Sequence, residues 1–196
     1  VDGNGSASVV GNFLTVSPNL DYNGNIEVTI TVTDGALSDS GSFTLAVNAL
    51  NDAPVLSSIV DQSIEEDSSF TYSLSANDVD GDNLYFSTEV DGNSSVSLVD
   101  NELTIIPDTN FNGDISVTVS VTDTQLSNSI SFTLTVNPVN DAPVLELISN
   151  QTINEDTSLI LTLSASDVDQ DNLEFSVSLD GEATSSIDNN IVTITP

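Results

Sequence analysis

Two stretches, Asp78-Val79-Asp80 and Asp167-Val168-Asp169, place carboxylates two residues apart, and they point most directly to chemistry. Two full charges about 4 Å apart repel by roughly 4 kcal/mol at an effective dielectric near 20. The chain has 31 Asp and Glu but no Lys, Arg or His, so its formal charge is −31 and no side chain can neutralise the acids. A cation from solution is the natural remedy. Calcium fits best, because it is a hard ion taking about six to eight oxygen ligands from carboxylates, carbonyls and Asn amides.

The same composition excludes other chemistry. Without a basic residue the chain cannot neutralise phosphate, so nucleic acid and anionic membrane surfaces are not expected partners. There is no Cys, hence no disulfide or thiolate metal site. Acid–base catalysis would have to use carboxylates or the phenols of Tyr22, Tyr72 and Tyr85. A carboxylate pair can cleave a glycosidic bond, but here the acids recur from repeat to repeat, which suits a scaffold and not a single active site. We expect a non-enzyme.

The acids are carried on a repeat. Residues 47–56 read V-N-A-L-N-D-A-P-V-L and residues 136–145 read V-N-P-V-N-D-A-P-V-L, placing Asp52 and Asp141 89 residues apart. The same offset superposes Tyr22-Asn23-Gly24 on Phe111-Asn112-Gly113, Asp34 on Asp123, and Glu66-Asp67 on Glu155-Asp156. Boundaries at Asn-Asp-Ala-Pro divide the chain into the C-terminal part of one repeat (1–52), a complete repeat (53–141) and the N-terminal part of a third (142–196). Pro54 and Pro143 fix φ just past each joint and bias the entering chain to be extended, so the linkers should be short and stiff. Val1 is neither an initiator Met nor part of a basic leader, so the sequence reads as a window from a longer, processed chain.

The elements that must position the acids are strands. Apolar residues alternate with Thr and Ser at 26–32, 43–47, 115–121 and 130–136, the period of a half-buried strand. Shorter strands are expected at 70–74, 84–86, 103–105, 159–163, 173–177 and 192–194. About seven strands per repeat, separated by Asp, Asn and Gly turns, predict an all-β fold of tandem Greek-key β-sandwiches. No apolar run approaches the roughly 18 residues of a membrane helix.

Ile64-Glu65-Glu66-Asp67, Asp78-Val79-Asp80, Val121-Thr122-Asp123 and the linker from Val136 to Pro143 follow one another in the order found in cadherin-type repeats. The chain also resembles the tandem repeats of about 90–100 residues in bacterial surface adhesins. The resemblance implies calcium between successive domains. At the first joint it implies Asp21, with Asn23 in reserve, then Asn48, Asn51 and Asp52 from the linker, and Asp78, Asp80 and Asp123 from the following repeat. At the second it implies Glu66, with Asn112 in reserve, then Asn137, Asn140, Asp141, Asp167 and Asp169. Glu155 is the counterpart of Glu66 one repeat on. The linker is a residue longer than in cadherins and several acids are replaced by Asn, which implies one to three ions per joint.

The ordinary reading of Asp and Asn is as turn formers, and for Asn23, Asn48, Asn112 and Asn137 both readings stay open. An EF-hand at Asp78-x-Asp80-x-Asp82 is not expected, because Asn83 stands where a Gly is needed and the flanks read as strands. The resemblance implies a calcium-stiffened extender of a secreted or cell-surface protein, its partners being neighbouring repeats and other copies in a filament. Two alternatives remain. One is a carbohydrate-binding module, for which there is no Trp; Tyr72 shares the phase of core residues, and Tyr85 points the other way but is Glu174 in the next repeat. The other is a fibre in which half-domains of neighbouring molecules complete one another.

Overall fold

The structure, a computed structural model, describes residues 3–196. Its first unit has two hairpins, β1 (Gly5–Val10) with β2 (Phe13–Pro18) and β3 (Gly24–Thr33) with β4 (Ser38–Val47). The middle unit runs from β5 (Val55–Leu56) through β6 (Gln62–Glu65), β7 (Phe70–Ser73), β8 (Ala76–Asn77), β9 (Tyr85–Val90), β10 (Ser94–Val99), β11 (Glu102–Pro107) and β12 (Gly113–Thr122) to β13 (Ser127–Asn137). The last unit has β14 (Val144–Leu145), β15 (Leu159–Thr162), β16 (Ala165–Ser166), β17 (Thr184–Asp188) and β18 (Ile191–Thr195). No helix forms among the described residues.

The middle unit is a sandwich of two sheets, ordered β6-β13-β12-β9 and β10-β11-β7. Alternation in the sequence decides which side chains lie between them. Ile115, Val117, Val119 and Val121 of β12 are fully buried, and Leu134 and Val136 of β13, Leu103 and Ile105 of β11, and Phe70 and Leu74 meet them. The intervening Ser and Thr residues of β12 and β13 form the opposite face, where Thr118 and Ser131 hydroxyls bond at 2.9 Å.

The expectation of about seven strands becomes nine ladder segments, because the first two strands of the unit are each interrupted. The first pairs at β5 with β8, then changes sheets so that β6 runs parallel to β13. The second breaks at Leu74-Ser75. There Leu74 is buried, its N–H donates to the Asn101 carbonyl and its carbonyl accepts from Asn101 Nδ2. Each interruption keeps its backbone bonded while turning the chain into a new plane.

One strand expectation is corrected. Residues 173–177 form no strand, although all but the first of their counterparts, 84–88, lie in β9. β9 is held by pairing with β12, and the offset of 89 puts the corresponding partner of 173–177 beyond Pro196. Side-chain alternation alone does not make a ladder. The first unit shows the same dependence on facing strands: Val32 is 67% exposed and Phe43 44%, while their counterparts Val121 and Phe132 are 0% and 4%.

Candidate metal centre

The acids gather at the two ends of the middle unit. At the end where the chain enters, the loop between β8 and β9 brings single carboxylate oxygens of Asp78, Asp80 and Asp82 within 4.8 Å of one another. The local sequence enforces this: Asp78 Oδ1 accepts from the backbone N–H of Asp80 at 2.9 Å and of Asp82 at 3.4 Å, curling the loop around its first carboxylate. Asp78 Oδ2 is buried without a hydrogen-bond partner. Strands flank the loop, consistent with rejecting an EF-hand.

The linker is clasped to this loop. The N–H of Asp52 donates to Asp80 Oδ2 at 2.8 Å. Asn51 Nδ2 donates to Asp123 Oδ2 at 2.8 Å and its Oδ1 accepts from Gln125 Nε2. Asp123, in the turn between β12 and β13, is buried and also accepts from the N–H of Gln125 and Leu126. The Asn51 amide, then the Leu126 N–H, hold its carboxyl below the ordinary range against some desolvation. Asp52 behaves oppositely: desolvation, then the negative charges of Asp21, Asp80 and Asp78, push its carboxyl up. On the far side, Asp21, Asn23, Asn48 and Asp52 line a cleft of about 200 Å³.

The second joint repeats the clasp. The Asp141 N–H donates to Asp169 Oδ2 at 2.6 Å, and Asp167 Oδ1 accepts from the N–H of Asp169 and Asp171. From the middle unit come Glu66, buried, whose Oε1 accepts from the Val139 N–H and whose own N–H donates to the Asn137 carbonyl, and Asp67, which accepts from the Asn110 N–H. Asp141 Oδ2 is buried and unpartnered. Desolvation pushes the Asp141 carboxyl up, with Asp169, Asp67, Glu66 and Asp167 adding to it.

Residues 51–137 match the sequence profile of the bacterial Ig domain. The middle unit is similar to that domain over nearly its whole length. Chitinase A of Pseudoalteromonas piscicida is 30% identical to the chain over 122 residues, which are 61% of this chain and 15% of the chitinase. The chain thus spans about 15% of that relative's length. Among solved structures, an endo-fucoidan hydrolase of glycoside hydrolase family 107 is similar over 100% of this chain and 33% of its own, at 18% identity and TM-score 0.38. Protocadherin gamma B7 is similar over 97% of this chain and 55% of its own, at 16% identity and TM-score 0.46.

The expected ligand residues thus sort by position around the Ig-like domain. Asp21, Asn48, Asn51, Asp52, Asp78, Asp80 and Asp123 lie at its entry, and Glu66, Asn137, Asn140, Asp141, Asp167 and Asp169 at its exit. Asn51 and Asn140 each donate from Nδ2 to the next carbonyl, those of Asp52 and Asp141, which marks them as linker locks. Glu155 is exposed and joins neither group. Two acids beyond the expected set belong with them: Asp82, which completes the triad, and Asp67, whose charge bears on Asp141. Their signals were present in the third acid of Asp78-x-Asp80-x-Asp82 and in the recurring Glu-Asp pair. Asp34, the counterpart of Asp123, makes the same turn, accepting from the N–H of Ala36 and Leu37, and these bonds hold its carboxyl low.

Proposed function

We propose that each joint binds calcium and that the chain is an extender, holding successive Ig-like domains at a fixed angle in a secreted or cell-surface protein without catalysing a reaction. The observation carrying this reading is the carboxylate triad of Asp78, Asp80 and Asp82 with its buried, unpartnered Asp78 Oδ2, in a chain with no cationic side chain. A buried carboxylate oxygen without a donor is costly. A hard divalent cation supplies the missing partner without competing for the N–H groups already bonded to Asp78 Oδ1 and Asp80 Oδ2.

In this reading Asp78, Asp80, Asp82, Asp52 and Asp21 hold the ion at the first joint. Asp141, Asp167, Asp169, Glu66 and Asp67 hold it at the second. Asn51, Asn140 and Asp123 fix the linker backbone so that acids from both sides converge. Desolvation, then like-charge repulsion, pushes Asp52 and Asp141 up; a bound ion offsets that repulsion, and the rest follows mechanically: a flexible connection becomes a rigid one. Small-angle scattering with calcium and with EDTA tests this; the maximum dimension and its spread should change on chelation, and an unchanged profile overturns the reading.

The chitinase match motivates a second reading, in which the chain is an accessory segment of a polysaccharide-acting protein. Tyr85, 56% exposed, is the side chain that would stack on a sugar. A glycan pull-down that fails to weaken in Tyr85→Ala removes this reading.

A further inference from the structure

We propose that Asn23 and Asn112 are sites of spontaneous covalent modification, at which the side-chain amide closes on the following glycine and is replaced by a carboxylate. Each precedes a glycine that the fold cannot exchange. Gly24 and Gly113 have φ of +129° and +135°, where L side chains are strained, and an added Cβ would meet the phenol oxygen of Tyr22 at 3.0 Å or the ring of Phe111 at 3.3 Å. The attacking nitrogen therefore has no side chain beside it. Asn23 and Asn112 are exposed, and neither side chain has a hydrogen bond among the described residues. Most other Asn residues lack a following glycine, and several, such as Asn51, Asn101, Asn140 and Asn190, are also held by hydrogen bonds. At the remaining Asn-Gly step, Asn4-Gly5, the glycine packs against backbone, the Ser17 carbonyl oxygen lying 2.7 Å from where a Cβ would stand, and the Asn4 carbonyl accepts from the Asn19 N–H at 3.0 Å.

The reaction needs only water. The glycine nitrogen bonds to Cγ of the asparagine, the C–N bond of the amide breaks, and ammonia leaves carrying the proton from the glycine nitrogen. Water then opens the cyclic imide at one of its two carbonyls. Opening between Cγ and nitrogen restores the normal backbone with an aspartate; opening at the other carbonyl leaves the nitrogen on Cγ and gives isoaspartate, with an extra methylene in the chain entering β3 or β12. Either product carries a new negative charge. At the first joint that charge lines the cleft with Asp21 and Asp52. If the proposed calcium role holds, the aspartate product adds a charged ligand there, and Asn23→Asp tightens calcium binding on the order of tenfold.

The test holds the purified chain in mildly alkaline buffer with EDTA or with calcium. Peptic peptides are then mapped by mass spectrometry, and isoaspartate is labelled with an isoaspartyl methyltransferase. Asn23 and Asn112 should convert first, with isoaspartate among the products, and a double Asn23→Gln, Asn112→Gln variant should lose this early label. Conversion of Asn48, Asn110 or Asn137 at the same rate overturns the proposal, as does an unchanged chain after a matching short peptide has converted. Calorimetry of Asn23→Asp is read separately: unchanged calcium affinity removes the consequence for the metal and leaves the modification standing.

Discussion

Asp80 and Asp141 act through both ends of the aspartate residue. The Asp80 carboxylate clasps the linker while facing the triad, and Asp141 donates its N–H to Asp169 while its own Oδ2 is left without a partner. Asp91, whose carboxylate accepts from the Ser116 N–H on a strand, is the matched control. Calorimetric titration should show Asp80→Ala and Asp141→Ala weakening calcium binding by at least about tenfold, with Asp91→Ala near wild type; equal losses in all three would point to general destabilisation. Proton linkage separates the turn acids from the joint acids. Asp34 and Asp123 have lowered values, so their contribution to stability is present above the ordinary carboxylate value of 3.8 and is lost as pH falls through their folded values. Asp52 and Asp141 have raised values, so in EDTA their contribution is full below 3.8 and is lost as pH rises through their folded values. Melting curves against pH in EDTA should therefore show Asp123→Asn less stable than wild type at neutral pH and Asp141→Asn more stable.

At the scale of strands, the long pairs were legible because one face of each is buried. Where Val, Ile and Leu alternate with Ser and Thr in β12 and β13, only one register keeps the apolar set inside. Leu134, paired with Ile115 in that register, is fully buried. Leu134→Ala should cost about 2–5 kcal/mol of unfolding free energy in the Ig-like domain, read by urea titration, and the loss should persist in EDTA, since it lies in the core. What the sequence concealed was non-local. β1 and β10, rich in Ser with apolar residues at Val9, Val10, Val96, Leu98 and Val99, have a weaker contrast and take their register from β2 and β11. Residues 173–177 have strong contrast and no ladder. Asp67 came to bear on Asp141 only through a fold that brings loops separated in the sequence to one end, whereas Asp82 joins Asp78 and Asp80 within one loop.

For the whole chain, −31 of charge without a compensating residue makes ionic strength a variable separate from calcium. Raising salt from about 0.01 M to about 0.15 M shortens the screening length from about 30 Å to about 8 Å. Metal-free chain should therefore melt higher as NaCl is added, whereas magnesium-free calcium should act at concentrations too low to change screening. If calcium and an equal ionic strength of NaCl raise the melting temperature alike, the joints act as a diffuse charge cloud and not as coordination sites.

The parallel pairing of β6 with β13 has a mechanical meaning. The linker before the Ig-like domain is fastened at one end, by Asp52 to Asp80 and Asn51 to Asp123, and the chain leaves at the other, where Val139 meets Glu66. Tension along the chain pulls β6 toward its start and β13 toward its finish. Because the two strands run the same way from Gln62↔Leu134 to Glu65↔Asn137, that load slides one strand along the other and strains their hydrogen bonds together, not one after another as in a zipper. Under stretching, the domain should resist as a lap joint does.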